Sequence, residues 1–326
     1  MKFMLTGATG FIGGRLAQIL CDLDHEVIAV VRNPEKAAGL SHMGVVVKQG
    51  DITDKDSLRK SMEGVDGIFH LAGWYKVGVR DRSQAKAINV DGTRNVLEVM
   101  EELQVPKGVY TSTLAVNSDT HGRLVDETYR FEGKHLSLYD QTKAEAHQVA
   151  LHFQERGLPL VIVLPGIVYG PGDTSSIHTT FVHYLRRRLP VIPRQTAFCW
   201  SHVEDTALVH LKAMERGTPG ETYITAGPVH TLEEALRLAE EITGIPAPLT
   251  GPPGMFKVLS FLARPFDNLL PLPEIYTSES IRVSAGVTYI GDNRKAKEHL
   301  GFKPRPLREG LKETLEYEMR LLERKP

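Results

Sequence analysis

Tyr139 and Lys143 stand four residues apart in a stretch of helical pattern, which sets a phenol and an ammonium on one helix face. A free tyrosine ionises near pH ~10, so proton exchange near neutrality needs the phenolate favoured, and a neighbouring cation does that. Lowering such a pKa by about three units corresponds to roughly 4 kcal/mol. Thr111-Ser112-Thr113 ends the apolar run just upstream, where a hydroxyl can hold a substrate oxygen beside Tyr139. The chemistry expected of this set is proton transfer to or from a carbonyl or alcohol oxygen.

A second chemical signal lies at the start of the chain. Thr6-Gly7-Ala8-Thr9-Gly10-Phe11-Ile12-Gly13 sits between a short apolar run, Phe3-Met4-Leu5, and a stretch of helical pattern. Glycines at 7, 10 and 13 allow a tight turn and a close approach to a pyrophosphate, whose charge suits a helix N-terminus. Strand, turn and helix together predict a dinucleotide site that includes Gly7, Thr9, Gly10, Phe11, Ile12 and Gly13. The end of the second strand reads Val31-Arg32-Asn33-Pro34-Glu35-Lys36, with no acid at the strand end for a ribose 2′-hydroxyl. Arg32 and Lys36 suit a 2′-phosphate, so NADP is expected over NAD; the alternative is an Arg32 that stacks on the adenine. Asp51, with Ile52 beside it, either accepts from the adenine amino group or caps a helix.

These groups need a scaffold, and the apolar periodicity supplies one. Strands are expected over 3–5, 27–31, 45–47, 67–71, 108–111 and 160–164, with helices over 12–21, 83–104 and 138–156. Strands separated by helical crossovers imply an α/β fold, a Rossmann-type doubly wound parallel sheet with a smaller C-terminal substrate domain. The dinucleotide-binding domain is expected to comprise residues 1–170 plus 200–227, and the substrate domain 171–199 plus 228–326. In the proline-rich last third, Met255, Val258, Leu259 and Leu262 recur at helical spacing between Pro252-Pro253 and Pro271-Leu272-Pro273. A short helix that buries this stripe is expected, either as core or as a mobile lid that favours an apolar or aromatic substrate.

Composition narrows the partners. Lys and Arg number 39 against 40 Asp and Glu, so the formal charge is −1 and the electrostatic footprint of a nucleic-acid binder is missing. A hydrophobic share of 41% with 24% charged residues excludes a disordered chain. Cys21 and Cys199 are too few for a disulfide framework, the opening residues fit no signal peptide, and no apolar run is long enough to span a bilayer. The expectation is a cytoplasmic protein without nucleic-acid or membrane partners. Thirteen histidines lack ligand spacing, so no metal is expected, and His121, His135, His147 and His152 read as surface or capping residues.

The order of motifs along the chain resembles the extended short-chain dehydrogenase/reductase family. The segments that carry this are Thr6 to Gly13, His70-Leu71-Ala72-Gly73, Asn89-Val90-Asp91-Gly92-Thr93, Thr111-Ser112-Thr113 and Tyr139 with Lys143. Leu164-Pro165-Gly166-Ile167-Val168-Tyr169-Gly170-Pro171, Ser201-His202-Val203-Glu204-Asp205 and Leu300-Gly301-Phe302-Lys303-Pro304 extend it over nearly the whole chain. Within the family it looks most like the dihydroflavonol reductase and 3β-hydroxysteroid dehydrogenase branch. The resemblance implies that Thr113, Tyr139 and Lys143 are catalytic, with Lys143 also binding the nicotinamide ribose. It further implies cofactor contacts from Leu71, Ala72, Gly73, Asn89, Pro165 and Val168, and a homodimer built on the helices over 83–104 and 138–156. Val96, Val99, Met100, Leu103, Val149, Ala150 and Phe153 are available for that interface, or equally for the sheet. Trp74 and Tyr75 are candidate substrate walls or core fillers.

The function expected is an NADP(H)-dependent carbonyl reductase or secondary alcohol dehydrogenase acting on a small molecule. A nucleotide-sugar epimerase that retains NAD is the alternative, and a non-catalytic cofactor sensor the alternative of another class. Sugar dehydratases of the family carry Asp-Glu after the catalytic threonine; Leu114-Ala115 stands there instead.

Overall fold

The computed structural model describes residues 1–79, 81–267 and 276–323; Pro271 and Pro273 lie outside the described residues. Seven strands form the main sheet: β1 (Lys2–Thr6), β2 (Glu26–Val31), β3 (Val46–Gln49), β4 (Gly67–His70), β5 (Gly108–Thr111), β6 (Leu160–Leu164) and, after three strands placed elsewhere, β10 (Thr222–Ile224). Their order is β3-β2-β1-β4-β5-β6-β10 and every pairing is parallel. Parallel strands need crossovers, here carried by α1 (Phe11–Asp22), α2 (Ala38–His42), α3 (Lys55–Met62), α4 (Gly92–Glu102), α5 (Leu138–Glu155) and α7 (Val203–Arg216). The sheet is covered on both faces, which explains why its central strands read as unbroken apolar runs. On one face Met4, Ile68, Tyr110 and Ile162 pack against Val96, Met100, Ala150 and Phe153 of α4 and α5. On the other, Phe3, Phe69, Val109 and Val161 meet Leu16 and Leu20 of α1 and Val209 of α7.

A second assembly sits beyond the carboxyl ends of these strands. It contains β7 (Ile167–Tyr169), β8 (Val191–Pro193), β9 (Ala197–His202), β11 (Val229–Thr231), β12 (Leu249–Gly251) and β13 (Thr288–Tyr289). β9 pairs with β7, β11 and β13, while β12 pairs with β8. Around them lie α6 (Ser176–Leu185), α8 (Leu232–Thr243), α9 (Pro253–Ala263), α10 (Ser278–Ser284) and α12 (Leu307–Glu323), while α11 (Arg294–Leu300) returns to the main sheet, its Ala296 and Leu300 packed into that core. Tyr169, Phe181, Trp200, Leu236 and Leu311 form its own core. The motif over 201–205 ties this assembly to the main sheet: Glu204 forms an ion pair with Arg15 of α1, and Asp205 pairs with Arg305 at 3.0 Å.

Two expectations are corrected and one open alternative is decided. The helix expected over 83–104 contains one π-helical turn, Ala87–Asp91, before α4 begins. Val96, Val99, Met100, Val149, Ala150 and Phe153 are all consumed by the protomer's own core, because α4 and α5 press their apolar faces onto the sheet. The stripe expected to be buried in α9 faces outward instead, with Val258 58%, Leu259 45% and Leu262 57% exposed. That helix docks through its other side: Phe256 is 8% exposed, and the buried Ser260 hydroxyl donates to the Ser278 carbonyl at 2.7 Å.

Candidate active site

At the end of β1 the chain must turn within a few residues and stay close to β4. Gly7 has φ +78°, and a Cβ there would lie 2.6 Å from the Ala72 nitrogen; one on Gly13 would lie 2.1 Å from the Gly7 carbonyl oxygen. Side chains are sterically excluded from both positions. Gly10 caps α1 without a side-chain hydrogen bond, and the first turn carries no acid, so the helix N-terminus is left as a cradle for an anion. Thr9 and Gly10 are exposed and Phe11 and Ile12 half-buried around it. The geometry fits a dinucleotide pyrophosphate at the crevice where the strand order reverses between β1 and β4.

Arg32 and Lys36 follow β2, both exposed, and no ion pair involves either among the described residues. Asn33 accepts from the Glu35 amide and shapes the turn that carries them. Asp51 binds its own turn through Thr53 at 2.9 Å, while Asp54 takes the capping of α3, which settles one of the two roles open to Asp51. The Ile52 side chain, expected at the cofactor, is buried in the core against α4, where a Cβ on Gly92 would lie 2.6 Å from it.

The catalytic candidates meet where β5 ends. Thr113 accepts from the Ala115 amide at 3.2 Å, and Pro165 holds the same loop by accepting from the Leu114 amide at 3.0 Å. Val168, half-buried on β7, lies just beyond. Tyr139 is near the start of α5 and half-buried, and the Thr113 hydroxyl is among the groups that favour its phenolate. Lys143 is one turn further along and buried; its Nζ donates to the Thr111 carbonyl at 2.9 Å and to the Tyr110 hydroxyl at 3.2 Å. Gly73 borders this ammonium, since a Cβ there would sit 4.0 Å from Lys143 Nζ. Leu71, Ala72 and Gly73 therefore run from the glycine turn to Lys143.

Electrostatics here depart from the simple expectation. Burial pushes the Tyr139 phenol above its usual pKa, and the pull of Lys143 only partly offsets that. Lys143 itself is brought down to about 8 by burial. Spacing in the sequence shows the attraction between the two groups, whereas the desolvation of both depends on burial.

Asn89 shows what the π-turn is for. Its amide accepts from the Trp74 N–H at 2.7 Å, and donates to the Trp74 carbonyl and the Thr142 hydroxyl, each at 2.9 Å. It thus bolts the loop after β4 to the helix that carries Tyr139 and Lys143. Trp74 is half-buried; Tyr75 is exposed and reaches Thr174 at 3.4 Å.

Sequence reasoning passed over the layer beneath. Three buried histidines each hold a hydroxyl at the end of β1 or β5: His70 with Thr6 at 2.7 Å, His210 with Thr111 at 2.8 Å and His147 with Ser112 at 3.0 Å. His147 is therefore neither a surface nor a capping residue. Burial lowers His70 to about 3 and the other two to about 4, which keeps all three neutral. Tyr110, stacked on His70 at 5.4 Å, lies with its ring 4.9 Å from Lys143 Nζ. The signal for these was their position beside the motif residues, in Tyr110-Thr111-Ser112 and in His70 before Leu71. Among the described residues no group of three or more His, Cys, Asp or Glu could hold a metal ion.

Comparison with known proteins places this geometry among relatives. The model of the NAD dependent epimerase/dehydratase family matches residues 3–226. A putative dihydroflavonol 4-reductase from Synechocystis is 31% identical over 326 residues, covering 97% of this chain and 94% of its own. Sterol demethylase protein B from Methylococcus capsulatus is 29% identical, covering 93% and 94%. The crystal structure of gox2253 superimposes with a TM-score of 0.84 at 27% identity over 98% of both chains.

Proposed function

The chain belongs to the NAD dependent epimerase/dehydratase family of extended short-chain dehydrogenases/reductases, and from that premise we propose an NADP(H)-dependent carbonyl reductase or secondary alcohol dehydrogenase for a small apolar or aromatic substrate. It is an NAD(P)-dependent oxidoreductase by family; the reaction, the phosphate on the cofactor and the residue roles are our reading. The observation that carries it is the convergence of Thr113, Tyr139 and Lys143 at the end of β5, beside Gly73. When bound, the nicotinamide supplies or accepts the hydride. Thr113 Oγ1 holds the substrate oxygen, and Tyr139 Oη gives it a proton in reduction and takes one in oxidation. Lys143 Nζ favours the phenolate as the charge develops, and is also assigned to the ribose. Gly7, Gly10 and Gly13 receive the pyrophosphate, with Arg32 and Lys36 toward the 2′-phosphate.

Residues 1–170 plus 200–227 are assigned to the cofactor and 171–199 plus 228–326 to the substrate, with β7 and the end of β9 crossing into the second assembly and α11 crossing back onto the main sheet. The outward apolar face of α9 is our candidate lid. For assembly we propose a homodimer on α4 and α5; since the core takes most of their apolar residues, Leu103, Ala144 and Leu151 remain for it. No helix among the described residues is long and apolar enough to cross a membrane, Cys21 and Cys199 are free, and a reducing cytoplasmic setting is our reading.

An NADPH-oxidation screen across ketones, aldehydes, flavonoid-like and steroid-like carbonyls, with nucleotide sugars as the control, tests the proposal. Net NADPH consumption with a carbonyl is the expected result. Turnover of a nucleotide sugar without net cofactor consumption would establish the epimerase instead.

A further inference from the structure

Glu279 lies on α10, far from the motif residues in sequence, yet its side chain is 4% exposed and both of its oxygens are engaged at the catalytic end. One oxygen, Oε1, accepts from the Leu138 N–H at 3.0 Å. That amide opens the first turn of α5, whose N–H groups have no partner within the helix, one residue before Tyr139. The other, Oε2, accepts from the Gly78 N–H at 2.9 Å and faces the Arg82 guanidinium at 3.3 Å. Gly78 and Arg82 belong to the segment after β4 that begins with Trp74 and Tyr75. From the same helix, Arg282 donates to the Leu136 carbonyl at 2.7 Å.

We propose that Glu279 is a positioning residue whose single carboxylate locks the loop following Trp74 and Tyr75 to the N-terminus of the Tyr139 helix, so that the substrate side of the site and the proton donor are held as one unit. The three donors converge from two separate segments, which Asn89 also joins one turn further along α5, through Trp74 and Thr142. A carboxylate is the right group because it only accepts, and here it meets only donors. A glutamine would keep one arm at most, since its NH2 would oppose either Leu138 or the Gly78 and Arg82 pair. The inference rests on the reading of Tyr139 as the proton donor for its effect on turnover, but not for its effect on structure.

The test compares the wild-type protein with Glu279→Gln, both saturated with NADPH, by hydrogen exchange, and then by turnover of a carbonyl found in the screen. Exchange over 76–86 and over 137–142 is expected to rise together by about tenfold, the scale of one lost charge-assisted hydrogen bond, while residues 6–14 stay unchanged. kcat is expected to fall by roughly tenfold with the NADPH affinity held within about twofold. Ser260→Ala, which removes a different buried hydrogen bond to the start of α10, separates positioning from general loosening: it is expected to lower stability without moving exchange over 137–142. Should Glu279→Gln fail to fold, Arg82→Ala removes the half-exposed ion pair together with the Arg82 hydrogen bond to the Val79 carbonyl, and exchange must rise over 137–142 as well as over 76–86, since the Val79 bond alone would not move the former. Exchange that is unchanged in both segments, or raised equally over 6–14, overturns the proposal. Raised local exchange in a protein that turns over only nucleotide sugars would uphold the lock and overturn the reductase reading.

Discussion

The two ends of the site are built from different materials. Around the glycine turn the chain offers backbone N–H groups, missing side chains and two exposed cations. Around Lys143 it offers buried side chains in a closed hydrogen-bonded layer: Asn89, Tyr110, Thr142 and the three neutral histidines. The first design is specified by what will not fit, the second by polar groups that must all find partners. Substitutions at the nucleotide end should therefore act through sterics or affinity. At the catalytic end they should act through rate and pH.

The sharpest contrast is expected from Tyr139→Phe, which removes only the transferable proton. kcat should fall by roughly 10²–10⁴-fold with NADPH binding nearly intact, whereas Lys143→Ala should impair both. A Tyr139→Phe protein with wild-type kcat on its carbonyl substrate would remove Tyr139 from the chemistry. Next in size is Gly13→Ala, whose Cβ would sit 2.1 Å from the Gly7 carbonyl oxygen. It should cost roughly 1–3 kcal/mol of stability or more, and cofactor binding with it. Thermal melts with and without NADPH measure both effects, and an unchanged NADPH-induced shift would contradict a tight turn at that position.

Arg32→Ala should be milder, weakening NADPH by about 1.5–3 kcal/mol and NADH little. A wild-type preference for NADH in titration would reverse the cofactor assignment and strengthen the epimerase alternative. A pH effect, separate from these substitutions, is expected in acid. His70, His147, His202 and His210 are all held below the ordinary 6.5, at about 3 for His70 and about 4 for the others, by burial. Between those values and 6.5 the unfolded chain binds more protons than the folded one, so stability is present above 6.5 and drains away as the pH falls. Asp140, raised to about 6, and Asp173, also raised by burial, work in the opposite sense but are two carboxyls against four histidines. Urea midpoints measured from pH 7 to pH ~4.5 should decline; a flat profile would mean that the histidine layer is open to water.

Legibility followed the same division. The glycine turn, the strand alternation and the Tyr139–Lys143 spacing are local, so a single stretch of sequence carries each. Glu279 could not be found that way, because its meaning depends on Leu138 and Gly78, which are distant in the chain and have no side-chain signature for a backbone donor. The α9 stripe failed for a different reason. Periodicity identifies an apolar face but not which face meets a partner, and here Phe256 and the Ser260–Ser278 hydrogen bond decided. In the Tyr139–Lys143 pair, attraction was visible from spacing while burial was not.

The π-turn at Ala87–Asp91 has a consequence for how this chain tolerates change in length. Such a turn is equivalent to one extra residue lodged in an α-helix, and one helical residue corresponds to about 100° of rotation. Deleting a single residue there would let the helix regain regular pitch at no cost to its own hydrogen bonds. Because the π-turn already absorbs that residue's rotation, the flanking segments would keep their register, and the loss would fall on the bulge itself, carrying the Asn89 amide away from Trp74 and Thr142. Loops elsewhere can shed or gain residues with little penalty, but this stretch has a fixed count. A scan of one-residue deletions across the chain should show it as a spot where a well-formed helix survives and the enzyme does not.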